Sequence, residues 1–175
     1  MIVLGIDPGT ATTGYGVVRG DARTPVLVEC GVVRTEASAP LAQRLAEIFD
    51  GITELLERHK PDVLAVEQAF LNKNVRTTLV LGHARGVILL AGERAGVAIA
   101  EYSPAMIKKS VVGTGSATKE QVQFMTARLL RLKTAPSPAD AADGVAAALT
   151  CILTPRLPLP LPSDHRPPTS DLARL

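Results

Sequence analysis

After Met1 the chain begins with Ile2-Val3-Leu4-Gly5-Ile6-Asp7-Pro8-Gly9, a short apolar run that ends in a carboxylate and a turn signal. A run of this length, closed by Pro-Gly, indicates a buried strand with Asp7 at its end. The run Val63-Leu64-Ala65-Val66 is followed in the same way by Glu67. The two patterns together predict two strands of one sheet that each end in an acid.

The pattern around these two runs predicts the remaining elements. Strands are expected at residues 2–7, 14–19 and 26–33, joined by short turns as an antiparallel meander. Apolar residues from Leu41 to Leu56 recur at helical spacing, which predicts a helix with Pro40 at its first position and Lys60-Pro61 at its end. A strand at 62–67, a helix at about 74–95 ending near Gly96 and a strand at 97–101 follow, and then helices at about 103–110, 118–131 and 138–153.

This element order predicts an α/β fold with a five-stranded mixed sheet in the order 3-2-1-4-5, flanked by helices. The first three strands are antiparallel, and the later strands enter by right-handed crossovers. Strands 1 and 4 are then neighbours, and the strand ends that carry Asp7 and Glu67 lie side by side. Ligand sites of open α/β sheets favour this carboxyl edge.

Two further acids, Asp140 and Asp143, lie three residues apart just after Pro138, in the first turns of a predicted helix, and therefore share one face. Carboxylates gathered at one place repel one another unless a cation lies between them, and hard ions such as Mg²⁺ prefer oxygen ligands. Taken singly, Asp7 fits an ordinary turn and Asp140 fits a helix start. All the acids together predict a metal site for phosphate chemistry.

Two metal ions about 3.5–4 Å apart can activate a water, position it and stabilise the leaving oxygen in phosphodiester hydrolysis. In this hypothesis Asp7 bridges both ions, Glu67 holds one of them, and Asp140 with Asp143 holds the other.

Size and composition favour a single domain, which is expected to cover residues 1–154. The chain has 175 residues, of which 46% are hydrophobic and 21% charged, as in globular proteins. It has no apolar run of the roughly 20 residues that a membrane helix needs and no signal-peptide pattern, and its two cysteines are isolated, so a cytoplasmic location is expected. Residues 155–175 contain six prolines and are expected to form a poorly ordered tail.

Between Lys108 and Lys133 six basic residues accompany one acid, which gives this stretch a charge of +5 in a chain of net charge +2. A basic stretch beside a carboxylate cluster suits a polyanionic substrate. A solvent-exposed helix face would show the same charge pattern. Lys108 and Lys119 are the candidate phosphate contacts. Phe70, in a loop after Glu67, is a candidate for stacking on an unpaired base, with packing against the next helix as the alternative.

Several motifs in register resemble those of the RuvC family of bacterial Holliday-junction resolvases from residue 2 to about residue 152. They are Gly5-Ile-Asp-Pro-Gly-Thr10, Thr13-Gly-Tyr-Gly-Val17, Val66-Glu-Gln-Ala-Phe70 with Asn72-Lys-Asn74, Leu81-Gly-His-Ala-Arg-Gly86, Val111-Val-Gly-Thr-Gly-Ser-Ala-Thr-Lys119 and Ala139-Asp-Ala-Ala-Asp143. One Asp-Pro-Gly motif is common, whereas this ordered series is specific.

The resemblance implies an RNase H-like fold and a homodimer that nicks opposed strands of a four-way DNA junction during recombination and repair. It also implies dependence on Mg²⁺ or Mn²⁺, two ions per site, and work beside the RuvA–RuvB branch-migration complex. The family's metal-binding acids match Asp7, Glu67, Asp140 and Asp143, its base-unstacking aromatic matches Phe70, and its DNA-contacting lysines match Lys108 and Lys119. The subunits of the family pair through the helix at about 74–95. Gly82 and Gly86 there would allow close approach of a second helix, although small residues at these positions fit packing within the monomer core equally well.

The sequence has three other interpretations. Residues 6–14 also resemble the first phosphate loop of actin-like ATPases and sugar kinases, but those proteins need two such halves. A junction-binding protein without catalysis would not need four intact carboxylates. The shorter RNase H-like proteins of ribosomal RNA processing share the early Asp-Gly-Thr pattern, but not the motifs around Glu67 and Asp143.

Overall fold

The structure, a computed structural model, describes residues 1–68 and 75–154. Its strands are β1 Ile2–Asp7, β2 Thr12–Arg19, β3 Val26–Arg34, β4 Val63–Glu67 and β5 Ala98–Tyr102. Its helices are α1 Leu41–His59, α2 Val75–Arg94, α3 Pro104–Val112, α4 Lys119–Leu129 and α5 Ala139–Leu153.

The strands form one mixed sheet in the order β3-β2-β1-β4-β5, which confirms the predicted topology. β1 pairs antiparallel with β2, β2 pairs antiparallel with β3, and β4 is parallel to both β1 and β5. The carboxyl ends of β1, β4 and β5 therefore meet at one edge of the sheet, and β3 also ends at that edge because it runs parallel to β1.

Side chains that alternate along the strands supply two hydrophobic layers, one on each face of the sheet. On one face Val3 and Ala65 pack with residues of α3, α4 and α5. On the other face Leu4 and Leu64 pack with residues of α1 and α2. Fully buried valine, leucine and isoleucine side chains of this kind each contribute about 1.5–3 kcal/mol to the free energy of unfolding.

Helix α5 lies close to the centre of the sheet because the strands carry glycines and the facing side of the helix carries small residues. A methyl group added at Gly14 would lie 1.9 Å from the Asp140 carbonyl oxygen, and one added at Gly5 would lie 2.2 Å from the Gly144 carbonyl oxygen. The buried face of the helix is rich in alanine, including Ala147 and Ala148. Glycines in the strands and small residues in the helix thus fix the position of the α5 amino terminus, where two of the candidate acids lie.

Local signals shift several element ends from their predicted positions. Pro40 precedes α1 instead of occupying its first position, since its ψ of 142° is extended. β2 begins two residues early, at Thr12, because Thr12 pairs with Arg34. α3 continues to Val112 and is ended by Gly113 at φ 98°, whereas α4 ends at Leu129.

Helix α2 is joined to the sheet by an ion pair between Arg85 and Glu101 of β5. None of the helices in the described part of the chain is both long and apolar enough to cross a membrane. Phe70 and the predicted tail at 155–175 lie outside the described residues.

Candidate metal centre and nucleic-acid cleft

Asp7 and Glu67 are brought together by the parallel pairing of β1 with β4. Ile6 is opposite Val66 in that register, so each acid is the next residue of its strand. Neighbouring strands lie about 4.8 Å apart, which places the two carboxylates side by side at the carboxyl edge of the sheet. Both side chains point toward the face covered by α5, because Ile6 and Val66 point into the opposite core layer.

Asp140 and Asp143 reach the same place from the first turns of α5. Carboxylate oxygens of Asp7, Asp140 and Asp143 all lie within 4.8 Å of one another. Glu67 is not part of that tight group, but it lines the same cleft as Asp7 and Asp143. The structure therefore gathers the four predicted acids at one site, with three of them in mutual contact range of a single cation.

Asp7, Glu67 and Asp143 line an open cleft of about 270 Å³ between the end of the sheet and helices α3 and α4. Ile107, Val122 and Ala146 give the cleft an apolar wall, and Lys108 and Lys119 are its cationic residues. An apolar wall removes water from one side of the acids, which strengthens every electrostatic interaction among them.

The pKa of Asp7 is raised from its ordinary value of 3.8 to about 7. Burial is the largest cause, because it disfavours the charged form, and the charges of Asp143 and Asp140 add to it. Lys119 opposes the shift but does not cancel it. Without a cation, the site therefore holds Asp7 partly protonated near neutral pH.

The pKa of Glu67 is raised further, from 4.5 to about 8. Burial is again the first cause, followed by repulsion from Asp7 and Asp143, and the positive charges of Lys119 and Lys108 act in the opposite direction. Two neighbouring acids that both resist ionisation, through burial and through mutual repulsion, are typical of a functional site.

Lys119 forms a direct ion pair with one of the acids. Its Nζ donates to Asp143 Oδ2 at 2.6 Å, and this hydrogen bond is the main reason that the pKa of Lys119 is raised. The lysine is the first residue of α4, whose start is fixed by a capping box between Thr118 and Gln121. The predicted phosphate-contacting lysine thus lies at the cleft already paired with an acid.

The donor set fits a hard divalent cation. All the acids present oxygen, and no histidine or cysteine joins their group among the described residues. The pKa values of Asp7 and Glu67 are raised first by burial and then by the neighbouring acids, and the lysines at the cleft do not cancel these effects. A bound Mg²⁺ or Mn²⁺ would offset them, because both ions accept carboxylate ligands.

Sequence reasoning missed two features of the site. The Lys119–Asp143 pair joins residues 24 positions apart, and no local pattern marks it. The close approach of α5 was also missed, although glycines such as Gly5 and Gly14 within buried strands are a recognised signal of close backbone contact.

The comparisons with known proteins agree with this geometry. The family described as crossover junction endodeoxyribonuclease RuvC matches residues 3–151. The chain is 48% identical over 151 residues to the protein of that name from Desulforamulus reducens, covering 85% of this chain and 91% of the relative. It is 51% identical over 147 residues to the one from Halorhodospira halophila, covering 84% and 87%.

Among solved structures, T. thermophilus RuvC in complex with a Holliday junction substrate superposes with a TM-score of 0.83 and 37% identity. The alignment covers 87% of this chain and 93% of that chain. The fold is therefore RNase H-like, as the sequence motifs implied. From its motifs, its topology and these relatives, the chain belongs to the RuvC family of crossover junction endodeoxyribonucleases.

Proposed function

We propose that this chain resolves four-way DNA junctions by paired, metal-dependent nicks in opposed strands, in homologous recombination and DNA repair. The observation that carries the proposal is the convergence of Asp7, Asp140 and Asp143 within 4.8 Å, beside Glu67 in the same cleft. The family supplies the DNA target, since its T. thermophilus member was solved with a Holliday junction substrate.

In this proposal Asp7, Glu67, Asp140 and Asp143 hold two Mg²⁺ or Mn²⁺ ions. The bound ions would lower the pKa of a water and stabilise the leaving oxygen of the scissile phosphate. The chain's own residues prepare that chemistry. The acids give up their remaining protons when they become ligands, and the apolar wall of the cleft limits competing solvent.

Lys108 and Lys119 are proposed to bind DNA phosphates at the cleft. Both line it, and Lys119 is held 2.6 Å from Asp143 with about half of its side chain exposed. An ammonium group in this position can contact a phosphate oxygen while it remains paired with the acid, which would draw the backbone toward the carboxylates.

Phe70 is proposed to stack on a base that is unpaired at the crossover. Base–aromatic stacking contributes about 1–3 kcal/mol, which offsets part of the unstacking that brings a branch-point phosphate to the acids. Phe70→Ala should therefore slow cleavage of an intact junction more than that of a junction already unpaired at its centre. Equal slowing on both substrates, with a lower Tm, would assign Phe70 to core packing instead.

A homodimer is proposed to pair through the outward face of α2. On that face Val75, Leu79 and Leu90 are 71%, 60% and 52% exposed, and the groove beside them contains Gly82 and Gly86. Exposed apolar residues at helical spacing around small residues suit a helix of a second copy. Two copies would supply the two clefts that paired nicks require.

Family membership also supports action beside the RuvA–RuvB branch-migration complex and a location in the bacterial cytoplasm, where the DNA substrate lies. If so, the wild-type protein should cut a junction loaded with RuvA and RuvB at least as fast as a free junction. Complete protection of the loaded junction would contradict this part of the proposal.

The main experiment incubates the protein with labelled four-way and linear duplex DNA of the same sequence, with Mg²⁺, with Mn²⁺ or with EDTA, and maps the nicks. Symmetrical nicks in opposed strands of the junction alone, restored after chelation by either ion, are expected. Equal cutting of the linear duplex, or cutting that survives EDTA, would overturn the proposal.

A further inference from the structure

Arg34 lies at the same edge of the sheet as the carboxylate cleft. In the antiparallel registers Asp7 is opposite Gly14, and Thr12 is opposite Arg34. Arg34 is therefore two strands away from β1, a lateral distance of about 10 Å. It ends β3 and is exposed, and its side chain forms no hydrogen bond or ion pair with any of the described residues.

Arg44, near the start of α1, is fastened to the loop that follows Asp7. Its Nε donates to Thr35 Oγ1 at 3.1 Å, and that hydroxyl donates to the Thr10 carbonyl at 2.5 Å. The Thr35 amide also donates to the Ala11 carbonyl at 3.1 Å. Because Thr10 is three residues after Asp7, this anchor lies at most about 11 Å along the chain from the acid.

The acid near these arginines is already engaged elsewhere. Glu36 accepts hydrogen bonds from the Ser38 amide at 3.1 Å and the Ser38 hydroxyl at 3.0 Å. Those bonds are the main causes that lower the pKa of Glu36, and Arg44 contributes least among the causes named. Among the described residues, the terminal nitrogens of the Arg44 guanidinium form no hydrogen bond. By strand alternation Arg34 lies on the α5 face with Asp7, whereas Arg44 comes from α1 on the opposite face. The two arginines thus present donors to an external anion from both faces of the sheet at its β3 edge.

We propose that Arg34 and Arg44 hold backbone phosphates of the DNA strand that leaves the cleft on the β3 side of the sheet. This inference rests on the proposed function. Lys108 lines the cleft from α3, which follows β5 on the side of β1 away from β3, so basic groups would hold the strand on both sides of the acids. The planar guanidinium suits two phosphate oxygens at once, which an ammonium does not.

The geometry sets which phosphates these are. A strand of B-form DNA rises about 3.4 Å per nucleotide, so a lateral distance of about 10 Å corresponds to about two or three nucleotides. Arg34 and Arg44 would therefore contact phosphates about two or three nucleotides from the nick, on one side only.

The test measures binding of a labelled four-way junction across a salt series, with Ca²⁺ in place of Mg²⁺. Arg34→Ala and Arg44→Ala should each reduce the slope of log affinity against log salt by about 0.9, the value for one lost phosphate contact. Arg19→Ala is the matched control, because Arg19 is an exposed arginine at the opposite end of the same sheet, facing Ile2. It should leave the slope unchanged.

A second arm removes the phosphate charge instead of the arginine. Methylphosphonates at the second and third nucleotides from the mapped nick, on each side in turn, should lower the wild-type slope. In the Arg34→Ala, Arg44→Ala double variant, methylphosphonates on the side of the nick that these arginines contact should cause no further decrease in the slope. The Arg34 side chain forms no hydrogen bond or ion pair with the described residues, so Arg34→Ala should keep the wild-type Tm. This variant tests the inference even where Arg44→Ala disturbs Thr35.

Unchanged slopes for both variants, or an equal loss with Arg19→Ala, would overturn this inference. If the wild-type protein nevertheless nicks junctions, the proposed function remains valid without the phosphate contacts assigned to Arg34 and Arg44. Failure of the wild-type protein to bind a junction at all would overturn both.

Discussion

Asp7 and Glu67 have raised pKa values of about 7 and about 8, so their protonated forms are favoured over their carboxylates. Burial and neighbouring acids cause both shifts, and a divalent cation would reverse them because it stabilises the carboxylates. The same features that make these residues poor acids in the metal-free protein make them strong ligands once a cation arrives.

Metal binding should therefore release protons. We expect the affinity for Mn²⁺ to rise as pH increases from 6 to 9, since deprotonated Asp7 and Glu67 are the ligand forms. Calorimetric titrations at pH 7 in buffers of different ionisation enthalpy would measure the number of protons released. An affinity independent of pH, with no buffer dependence of the enthalpy, would contradict the electrostatic description of the site.

Asp7→Asn should stabilise the metal-free protein at alkaline pH. The folded-state pKa of Asp7 is raised, so its contribution to stability is fully present below about pH 4 and is lost as pH rises through about 7. Asparagine carries no charge and avoids that loss. At pH 8.5 in EDTA we expect a gain of at least about 1 kcal/mol, or about 2–4 °C in Tm.

At pH 4 the two proteins should melt at similar temperatures in the same scan. A variant that melts below the wild type at pH 8.5 would show that Asp7 stabilises the fold as a carboxylate, contrary to this description.

Helix α5 carries Asp140 and Asp143 to the sheet edge because Gly14 leaves space for it. Gly14→Ala would place a methyl carbon 1.9 Å from the Asp140 carbonyl oxygen, so the helix or the strand must move. We expect a loss of about 1–3 kcal/mol or more in the free energy of unfolding, together with weaker Mn²⁺ binding. Chemical denaturation and calorimetry would measure the two effects.

Gly115→Ala is the milder control, because an added methyl there lies 3.3 Å from the nearest atom, the Ala105 carbonyl oxygen, and a shift of a few tenths of an ångström relieves the contact. Its stability should change much less than that of Gly14→Ala. Gly14→Ala with wild-type stability and wild-type Mn²⁺ affinity would refute the role assigned to the close approach of α5.

The proposed homodimer pairs through the outward face of α2. Leu79→Asp should convert a dimer into a monomer, because the charge would be buried between two copies while the exposed monomer tolerates it. Light scattering after gel filtration measures the mass. Phe124→Asp, at a residue 62% exposed against 60% for Leu79, should leave the dimer intact. A wild-type protein that is monomeric would contradict this interface.

The path of the chain could be predicted because local signals and handedness rules act together. Alternation and turn residues mark the strands, and the right-handed crossover after β3 leaves β4 beside β1, which places Glu67 next to Asp7. The Lys119–Asp143 pair could not be predicted, because it depends on how α4 packs against α5. The exact ends of α1 and α4 depend on backbone angles at Pro40 and Arg131 that sequence patterns do not specify.

The most decisive measurement compares junction binding with junction cleavage for Asp7→Asn at saturating protein in Mg²⁺. Mutation of a residue that only supports a metal ligand commonly lowers metal affinity or activity by about 10–100-fold. Loss of the ligand Asp7 itself should therefore lower the single-turnover cleavage rate by at least about 100-fold. Binding should be retained or improved, because a negative charge that repels phosphate is gone. Cleavage close to the wild-type rate, or a parallel loss of binding and cleavage, would contradict a carboxylate metal centre at this edge of the sheet.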